Sequence, residues 1–276
     1  MLKRELDYYC EVAKQLAIQA GTEILKYYHS PELIIHQKID LSPLTAADIA
    51  AHHVIQQGLQ AAFPTIPILS EEGSPTLHTT RKEWQTYWLI DPLDGTREFL
   101  KGNGEFTVNI ALIHQHVPIV GVIYAPVSQQ LYWATATSLA YQQLHQELRT
   151  LHVKPAAVDR LRVVISRSHH QTSLSLFTAT LKNSEVVRLG SSLKTCLVAA
   201  GEADLYPCFG PTAEWDTAAA QCILTAAGGK IIDVSGEELR YNTRVSLLNP
   251  WFLAIGDLTT DWLGLIPNEL KISAEE

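Results

Sequence analysis

Two aspartates, Asp91 and Asp94, are three residues apart and directly follow the apolar stretch 84–90. That stretch predicts a buried strand, and Pro92, which cannot donate a ladder hydrogen bond, predicts that the strand ends at Asp91. Gly95 then permits a tight turn, so both carboxylates are presented together at a strand end. Mg²⁺ prefers oxygen ligands and keeps positions open for water and phosphate, which suits such a turn. The alternative is an Asx turn in which Asp94 caps its own backbone.

A second pair of acids, Glu71 and Glu72, follows the apolar stretch 66–69 and precedes Gly73. Adjacent carboxylates repel each other, so a fold that places both at one strand end must compensate their charge. Solvent can do so, and so can a bound cation. The pair by itself leaves both possibilities open.

Two further acids are predicted in the first turns of helices. Thr45 occupies an N-cap position, and Asp48, three residues later, completes the pattern of a capping box. Asp216 begins an alanine-rich stretch that ends at residues 228–229. Each carboxylate either stabilises the positive end of its helix dipole, by a few tenths to ~1 kcal/mol, or is a functional group held beside an active site.

The composition narrows the classes of function. With 276 residues, 46% of them apolar and 18% charged, the chain is predicted to be one large domain or two closely packed halves. A formal charge of -8 argues against binding of polymeric nucleic acid, whose binding sites are basic. The charged start of the chain and the lack of a run of ~20 apolar residues predict an intracellular protein without a transmembrane span. Four cysteines without metal-type spacing are interpreted as reduced core thiols: Cys10, Cys196, Cys208 and Cys222.

The pattern of elements changes near residue 155. Apolar residues at helical spacing predict a helix over 6–28 and a second over 45–63, and the segment up to residue 155 continues mostly as adjacent strands. From residue 161 onward, strands and helices alternate with short links, which is typical of α/β folds. The chain is therefore divided into an α+β half, residues 1–155, and an α/β half, residues 156–276.

Two short motifs allow more than one interpretation. Gly190, Ser191 and Ser192 open a predicted helix with Lys194 nearby, so their N–H groups and the helix dipole are a candidate anion site. A glycine–serine cap is also common in ordinary helices. His114 and His116 have metal-like spacing but lie in a predicted hairpin turn, which favours a solvated turn over a metal site.

Taken together, these motifs resemble the inositol monophosphatase superfamily over nearly the whole chain. Within it, the chain is most similar to 3'(2'),5'-bisphosphate nucleotidases of the bacterial CysQ type. The resemblance to the superfamily rests on Glu71, on residues 91–96 and on residues 215–219 followed by the glycines at 228–229. The resemblance to the CysQ type rests on residues 40–48, 70–72, 103–109, 166–169 and 209–212. The implied fold is a layered αβαβα sandwich of two packed halves, α+β and α/β, with the site between them.

The resemblance implies a magnesium phosphatase with two or three Mg²⁺ ions. Glu71, Asp91 and the carbonyl of Leu93 would ligate the first ion, and Asp91, Asp94 and Asp216 the second. All of these ligands are oxygens, which suits a hard ion and not zinc.

The implied catalytic group is Thr96, coupled to Asp48 or to Thr45, which would orient or deprotonate the attacking water. The N–H groups of Gly95 and Thr96 would bind the departing phosphate. Residues implied to hold the nucleotide and its 5'-phosphate are Ser166, His169, Gly190, Ser192 and Lys194. Glu71, Leu93, Asp94 and Asp216 are also expected to border the substrate.

The expected reaction is hydrolysis of the 3'-phosphate of 3'-phosphoadenosine 5'-phosphate to AMP, by direct attack of water. The acids of a haloacid dehalogenase stand at i and i+2, with the first as nucleophile, whereas here they stand at i and i+3, so no phosphoenzyme is expected. Inositol monophosphate or a sugar bisphosphate is the alternative substrate, and a nucleotide or Mg²⁺ sensor is the alternative outside enzymes. A structural scaffold would leave the clustered acids unexplained. The resemblance further implies inhibition by Li⁺, a cytoplasmic location with at most peripheral membrane contact, and a monomer or homodimer.

Overall fold

The computed structural model describes residues 1–30, 35–37, 43–157, 159–168, 172–181 and 183–272. No helix among them has the length and apolar character that crossing a bilayer requires.

The elements of the first part of the chain are two long helices, two short ones and nine strands within the described residues. In chain order they are α1 (Lys3–Tyr27), β1 (Ile35–Gln37), β2 (Pro43–Thr45), α2 (Ala46–Ala62), β3 (Ile68–Ser70), α3 (His78–Arg81), β4 (Thr86–Asp94), α4 (Thr96–Lys101), β5 (Thr107–His114), β6 (Val117–Ala125), β7 (Gln130–Thr135), β8 (Ala140–Leu144) and β9 (Glu147–Leu151). Strands β3 to β9 form a seven-stranded sheet in chain order, and all of its pairs are antiparallel except β3 with β4.

The second part contributes a separate sheet. Its elements are β10 (Arg162–Ser166), α5 (Thr172–Thr180), β11 (Glu185–Leu189), α6 (Leu193–Ala199), β12 (Leu205–Cys208), α7 (Glu214–Ala226), β13 (Lys230–Asp233), β14 (Phe252–Ile255), a 3₁₀ turn (Leu263–Leu265) and α8 (Asn268–Ile272). The strand order is β11-β10-β12-β14-β13, with parallel pairs at β10 and antiparallel pairs at β14.

Three apolar clusters separate five layers. Trp88 and Ile90 point from the large sheet toward α1 and α2, whereas Tyr87 and Leu89, on the opposite face, pack against α7. The same central cluster reaches the small sheet, and a third cluster lies on that sheet's other face against α5 and the C-terminal segment. Alternation of side chains along β4 places apolar groups on both faces, which a sheet covered by helices on both sides requires. The αβαβα sandwich is thus confirmed.

Gly121 of β6 is the point of closest approach between the large sheet and α7. A Cβ atom at this position would lie 2.3 Å from the carbonyl oxygen of Ala219 and 2.8 Å from the Cβ of Cys222. Only glycine therefore allows the helix backbone to rest directly on the strand. This contact ties α7, which belongs to the second part of the chain, to the sheet of the first part.

Two predictions about the segments around β4 were wrong. β4 does not end at Asp91: it continues through Pro92 to Asp94, and pairing with β5 resumes at Thr107 after a bulge. Proline is tolerated there because the irregular register demands no ladder hydrogen bond from it. The segment 74–83 is polar and includes Pro75, which predicts an exposed loop, but it contains α3 and the fully buried Arg81.

The hairpin turn between β5 and β6 is docked, not solvated. His116 Nδ1 lies 2.8 Å from the carbonyl oxygen of Tyr241, and the Tyr241 N–H donates to the carbonyl of His116. His114 Nδ1 lies 2.8 Å from the hydroxyl of Thr86. The histidines thus have separate partners, which agrees with the interpretation that they are not a metal pair. The strand predicted over 33–39 lies partly outside the described residues, and its described portion is β1.

Candidate active site

The end of β4 carries two of the predicted ligands. Asp91 is 1% exposed, and its Oδ1 accepts a hydrogen bond of 3.0 Å from the N–H of Leu93. Gly95 follows with φ of 94°, a left-handed conformation that side chains disfavour, and α4 begins at the next residue. The turn therefore closes tightly, with the carbonyl of Leu93 3.4 Å from the hydroxyl of Thr96.

Thr96 and Asp48 are hydrogen-bonded to each other at the start of α2. Thr96 Oγ1 donates to Asp48 Oδ1 over 3.2 Å and approaches the Leu93 carbonyl at 3.4 Å. The other oxygen, Asp48 Oδ2, accepts from the N–H of Thr45 at 2.7 Å and from its hydroxyl at 2.6 Å. The capping box is thus confirmed, and it resolves the open alternative: Thr96 bonds to Asp48 directly and to Thr45 only through it.

Asp94 is held by Ser192 from the other part of the chain. Asp94 Oδ2 accepts from the backbone N–H of Ser192 at 2.6 Å, from its hydroxyl at 2.7 Å, and from Asn109 Nδ2 at 3.2 Å. Ser192 Oγ also lies 2.8 Å from the carbonyl oxygen of Asp216. A single serine therefore ties together the segments that carry two of the predicted ligands.

The remaining two acids arrive on different elements. Glu71 directly follows β3, and its N–H donates to the carbonyl of Ile90 in β4. Asp216 lies in the first turn of α7, where its Oδ2 accepts from the N–H of Ala213 at 2.9 Å. Because α7 rests on β6, the helix start reaches the ends of β3 and β4. The structure thus brings together all four acids that the sequence predicts.

The carboxylates perturb one another. Burial raises the pKa of Asp91 well above its usual value, and Glu71, Asp94 and Asp216 raise it further. Burial, Asp94 and Glu71 likewise raise the pKa of Asp216, whereas the bond from Ala213 and the charge of Lys194 oppose the rise. Four carboxylates held this close together, one of them buried, create a strong demand for a cation.

The donor set fits Mg²⁺ in chemistry, since it consists of carboxylate oxygens and the Leu93 carbonyl. Among the residues that the structure describes, no three Asp, Glu, His or Cys side chains converge as a finished metal cage. The reason is visible at Asp94 and Asp216, each of which directs an oxygen at a protein N–H group. The acids are gathered and partly oriented, and a bound ion would replace some of these hydrogen bonds.

The acids line one side of a cavity of about 560 Å³. Arg97 and Glu98 of the first part also line it, and the remaining walls come from the second part of the chain. Apolar groups there include Leu174, Tyr206, Phe209 and Trp215. Such a volume, with a few polar groups on an apolar lining, suits a small organic molecule. Ser166, at the end of β10, also lines it.

Lys194 is a buried cation on this cavity. It is 6% exposed, its Nζ donates to the carbonyl of Ser191 at 2.5 Å, and it lies 5.0 Å from the centre of the Tyr206 ring. The residues described by the structure offer it no carboxylate within ion-pair distance. A buried ammonium without a counter-ion favours an anionic ligand.

The predicted anion site at Gly190 and Ser192 has a different local role. The N–H of Gly190 donates to Glu105 Oε2 at 2.8 Å, and that of Ser192 is the donor to Asp94. Protein carboxylates therefore already occupy both N–H groups, and α6, with seven residues, is a short helix. His169 lies outside the described residues.

Sequence reasoning missed the group that joins the two parts of the chain beside the cavity. Glu105 accepts two hydrogen bonds from the Arg167 guanidinium, at 2.6 and 2.7 Å, in addition to the one from Gly190. Nearby, Glu98 accepts from the hydroxyl of Ser168. Glu98 lies in the stretch 97–104, whose glycines predict a loop although α4 occupies its first part, and Glu105 directly follows this stretch. Their charge and Arg167 were the available signals, but the partners are more than 60 residues apart and spacing cannot reveal them.

Comparisons with known proteins agree with this geometry. The model of the inositol monophosphatase family matches residues 5–260. The chain is 49% identical to the 3'(2'),5'-bisphosphate nucleotidase CysQ of Salmonella typhimurium over 239 residues. The aligned region covers 86% of this chain and 96% of that protein.

Solved structures with the same fold include CysQ from Bacteroides thetaiotaomicron, described as a bacterial member of the inositol monophosphatase family. Its TM-score is 0.80 at 40% identity, with 90% of this chain and 97% of that chain covered. An inositol monophosphatase from Anabaena has a TM-score of 0.77 at 25% identity and covers 98% of this chain and 97% of its own.

Proposed function

Because the chain belongs to the inositol monophosphatase family, we propose that it is a magnesium-dependent 3'(2'),5'-bisphosphate nucleotidase. It removes the 3'-phosphate of 3'-phosphoadenosine 5'-phosphate and releases AMP and phosphate. The observation that carries this proposal is the meeting, in one cavity, of four carboxylates, the Thr96–Asp48 hydrogen bond and the buried Lys194 ammonium. The name of the Salmonella relative supports the same substrate class.

Phosphatases of this family depend on metal ions, and the residues present here suit two or three Mg²⁺. Glu71, Asp91 and the Leu93 carbonyl would hold one ion, and Asp91, Asp94 and Asp216 a second. Bound Mg²⁺ lowers the pKa of a water molecule and neutralises phosphate charge. The raised pKa values of Asp91 and Asp216 support this assignment, because dications would relieve the repulsion that raises them.

Thr96 and Asp48 position the attacking water. The single hydroxyl proton of Thr96 is directed at Asp48 Oδ1, so the lone pairs of Oγ1 remain free to accept a hydrogen bond from the water. Asp48 is itself fixed by the two bonds from Thr45. The pair therefore holds an acceptor at a defined place and provides a route for the proton that the water loses.

Hydrolysis then proceeds in one displacement. The water oxygen forms a bond to phosphorus as the bond to the 3'-oxygen breaks, and the 3'-oxygen takes up a proton to give AMP. The N–H groups of Gly95 and Thr96 bind the phosphate that departs. No side chain forms a bond to phosphorus, so the configuration at phosphorus is inverted. Retention in a chiral-phosphate experiment would contradict this mechanism.

The nucleotide portion is recognised by the second part of the chain. Lys194, for which the described residues offer no carboxylate partner, attracts the 5'-phosphate, and Ser166 adds a hydrogen-bonding group on the same cavity. His169 is assigned to the same task on the resemblance of residues 166–169 alone. Gly190 and Ser192 contribute by holding Glu105 and Asp94 in place and would meet the ligand only after exchanging these partners. The sulfated form, 3'-phosphoadenylyl sulfate, presents the same 3'-phosphate and is a second candidate substrate.

We assign the reaction to the cytoplasm, with any membrane contact peripheral. The four cysteines are unpaired, and three of them are buried, as expected in a reducing compartment. The chain is expected to act on a free nucleotide and not on polymeric nucleic acid, as a monomer or homodimer.

The experiment that tests the function measures phosphate release with and without Mg²⁺ from three substrates at equal concentration. These are 3'-phosphoadenosine 5'-phosphate, inositol 1-phosphate and fructose 1,6-bisphosphate. We expect Mg²⁺-dependent release with a preference of at least tenfold for the nucleotide. Asp94→Asn, which keeps the size of the side chain but removes a charged ligand, should abolish it.

Each other result has a defined meaning. A preference for inositol 1-phosphate would retain the metal site and overturn the assignment of Lys194 and Ser166. Absence of release from all three, with retained nucleotide binding, would favour a sensor. The matched control is Asp257→Asn, an aspartate at the surface whose carboxylate accepts bonds from Thr259 and Ala156. It should leave the rate unchanged.

A further inference from the structure

A buried, charged hydrogen-bond relay lies beside the carboxylate cluster and is not used by the mechanism above. It consists of Arg81 in α3, Asn242 in the segment between β13 and β14, and Glu214 at the start of α7. Arg81 is 2% exposed and Glu214 is 0% exposed. Burying a guanidinium and a carboxylate is costly, so both need compensation inside the protein.

Asn242 joins the two charges. Its Oδ1 accepts from Arg81 Nη1 at 2.5 Å, and its Nδ2 donates to the carbonyl of Arg81 at 2.6 Å. Its backbone N–H donates to Glu214 Oε2 at 2.8 Å. Arg81 Nη2 also donates to the carbonyls of Arg244 and Val245, at 3.0 and 2.5 Å. One guanidinium thus fixes the backbone of a surface segment, which in turn fixes Glu214.

The charges are not in direct contact. Arg81 Nε, Glu214 Oε1 and Tyr87 Oη have no hydrogen-bond partner in the described part of the chain. Arg81 and Glu214 are therefore connected by hydrogen bonds through Asn242 and by the attraction of their charges, and loss of either charge leaves the other less compensated. A relay of this kind depends on its geometry and holds its members to one arrangement.

The relay connects two segments that each carry a carboxylate of the site. Arg81 is ten residues after Glu71, at the end of the segment that leaves β3, and Glu214 is two residues before Asp216. The start of α7 is fixed by further bonds from the same segment. Glu214 N–H donates to the carbonyl of Leu247, and Asn249 Nδ2 donates to the carbonyl of Ala213 at 2.7 Å.

We propose that Arg81 and Glu214 are positioning residues that set the place of Asp216 relative to Glu71 and thereby the affinity of the site for Mg²⁺. This inference rests on the proposed metal phosphatase function. Neither side chain lines the cavity, so each acts through the backbone that it fixes. Outer groups that orient metal ligands contribute about 10–100-fold to metal affinity in other proteins, and we expect a similar effect here.

The test compares Arg81→Lys and Glu214→Gln with the wild type. Lysine keeps the charge but cannot reach Asn242 and two carbonyls at once. Glutamine keeps the volume and an oxygen that accepts from Asn242, so we expect this variant to fold and to provide a second, independent test. Calorimetric titration of the metal-free protein with Mg²⁺ gives the affinity directly, and phosphate release gives the Mg²⁺ concentration for half-maximal rate.

We expect Arg81→Lys to weaken Mg²⁺ binding about tenfold or more, and Glu214→Gln to do so less. The KM for the nucleotide at saturating Mg²⁺ should stay unchanged, and excess Mg²⁺ should restore the rate. Asp204→Asn is the matched control. Asp204 is also a buried carboxylate, and it pairs with Arg162 at the start of β10, whereas the other end of that strand, at Ser166, lines the cavity. It should lower the melting temperature without changing Mg²⁺ affinity.

Two results separate the relay from the function on which it rests. If both variants lose stability as the control does and bind Mg²⁺ as the wild type does, the relay is merely structural and the proposal is overturned. If the wild type releases no phosphate from any substrate but the variants still bind Mg²⁺ more weakly, the proposed function fails and the positioning role stands.

Discussion

Replacing Gly121 by alanine tests whether the contact between β6 and α7 places Asp216. The added Cβ would lie 2.3 Å from the carbonyl oxygen of Ala219, whereas Cβ contacts below 3.0 Å are essentially never found. The helix must therefore move away from the strand by about 0.7 Å or more, and neither the backbone atom nor the buried strand can yield cheaply. Ala219 is less than one helical turn after Asp216, so the displacement is transmitted to the carboxylate.

The expected cost has two parts. Overpacking of this kind destabilises by about 2–3 kcal/mol, which corresponds to a fall in melting temperature of about 4–12 °C. A displacement that approaches 1 Å at a reacting centre can cost about 10²-fold in rate, so we expect kcat/KM to fall about 10–100-fold. Thermal unfolding and phosphate release, each measured at several Mg²⁺ concentrations, give both quantities.

Gly256→Ala is the matched control. The nearest atoms to its Cβ would be 3.5 to 3.7 Å away, which is ordinary van der Waals contact. This variant should match the wild type in activity and be unchanged in stability or more stable by up to ~1 kcal/mol. If Gly121→Ala melts and turns over like the wild type, the direct packing of α7 on β6 does not position Asp216, and the reasoning is refuted.

Three other perturbations have defined outcomes. Asp91→Asn should melt at a higher temperature than the wild type in the presence of a chelator, because one of four repelling charges is gone. It should also lose the Mg²⁺-dependent rise in melting temperature, which at an Mg²⁺ concentration 100 times Kd is worth about 2.7 kcal/mol. Thr96→Val should lower kcat by about 10²-fold or more while Mg²⁺ binding persists, because it removes the hydroxyl that orients the water. The cysteine thiols should react with an aromatic disulfide reagent at pH 8 only after unfolding, because burial raises the pKa of every one of them. The pKa of Cys10 is raised to about 12, and those of Cys196, Cys208 and Cys222 are raised as well.

Each of these outcomes has a control or a contrary result. Glu98→Gln alters an acid near the cavity that is not a predicted ligand and should keep the Mg²⁺-dependent rise that Asp91→Asn loses. Thr135→Val removes another buried hydroxyl, one that accepts from the N–H of Thr137, and should not change kcat. One thiol equivalent that reacts rapidly in the native protein would show that the cavity admits the reagent to Cys208, the half-buried one.

The local features of the site could be predicted because they depend on neighbours in the chain. Thr45 and Asp48 form a capping box at the predicted residues, since the cap and its partner are within one helical turn. The stretches 185–189 and 252–255, each bounded by turn residues, predict strands, and β11 and β14 have these bounds. The order of most strands and helices followed from the same periodicities, whereas the layered αβαβα arrangement was implied by the resemblance to the family.

Where prediction failed, distant contacts had overridden a local preference. Pro92 was expected to end β4, but the β5 partner continues beside it and the ladder resumes after a bulge. Arg81 was placed in an exposed loop on the polarity of its segment, whereas Asn242, more than 160 residues away, holds it inside the protein. No pattern within either segment specifies that partner.

Sequence alone determined which chemistry is available: carboxylates at strand ends and helix starts, a glycine turn and a threonine beside it. The charge of each residue and its preference for a turn or cap are intrinsic, so these features can be predicted without a structure. Only the tertiary structure decided which of these groups meet, because α7 must cross to the large sheet at Gly121 before Asp216 can join Asp91. It also decided that the Ser192 N–H group serves Asp94, since an N–H group pairs with whichever acceptor the packing brings within reach.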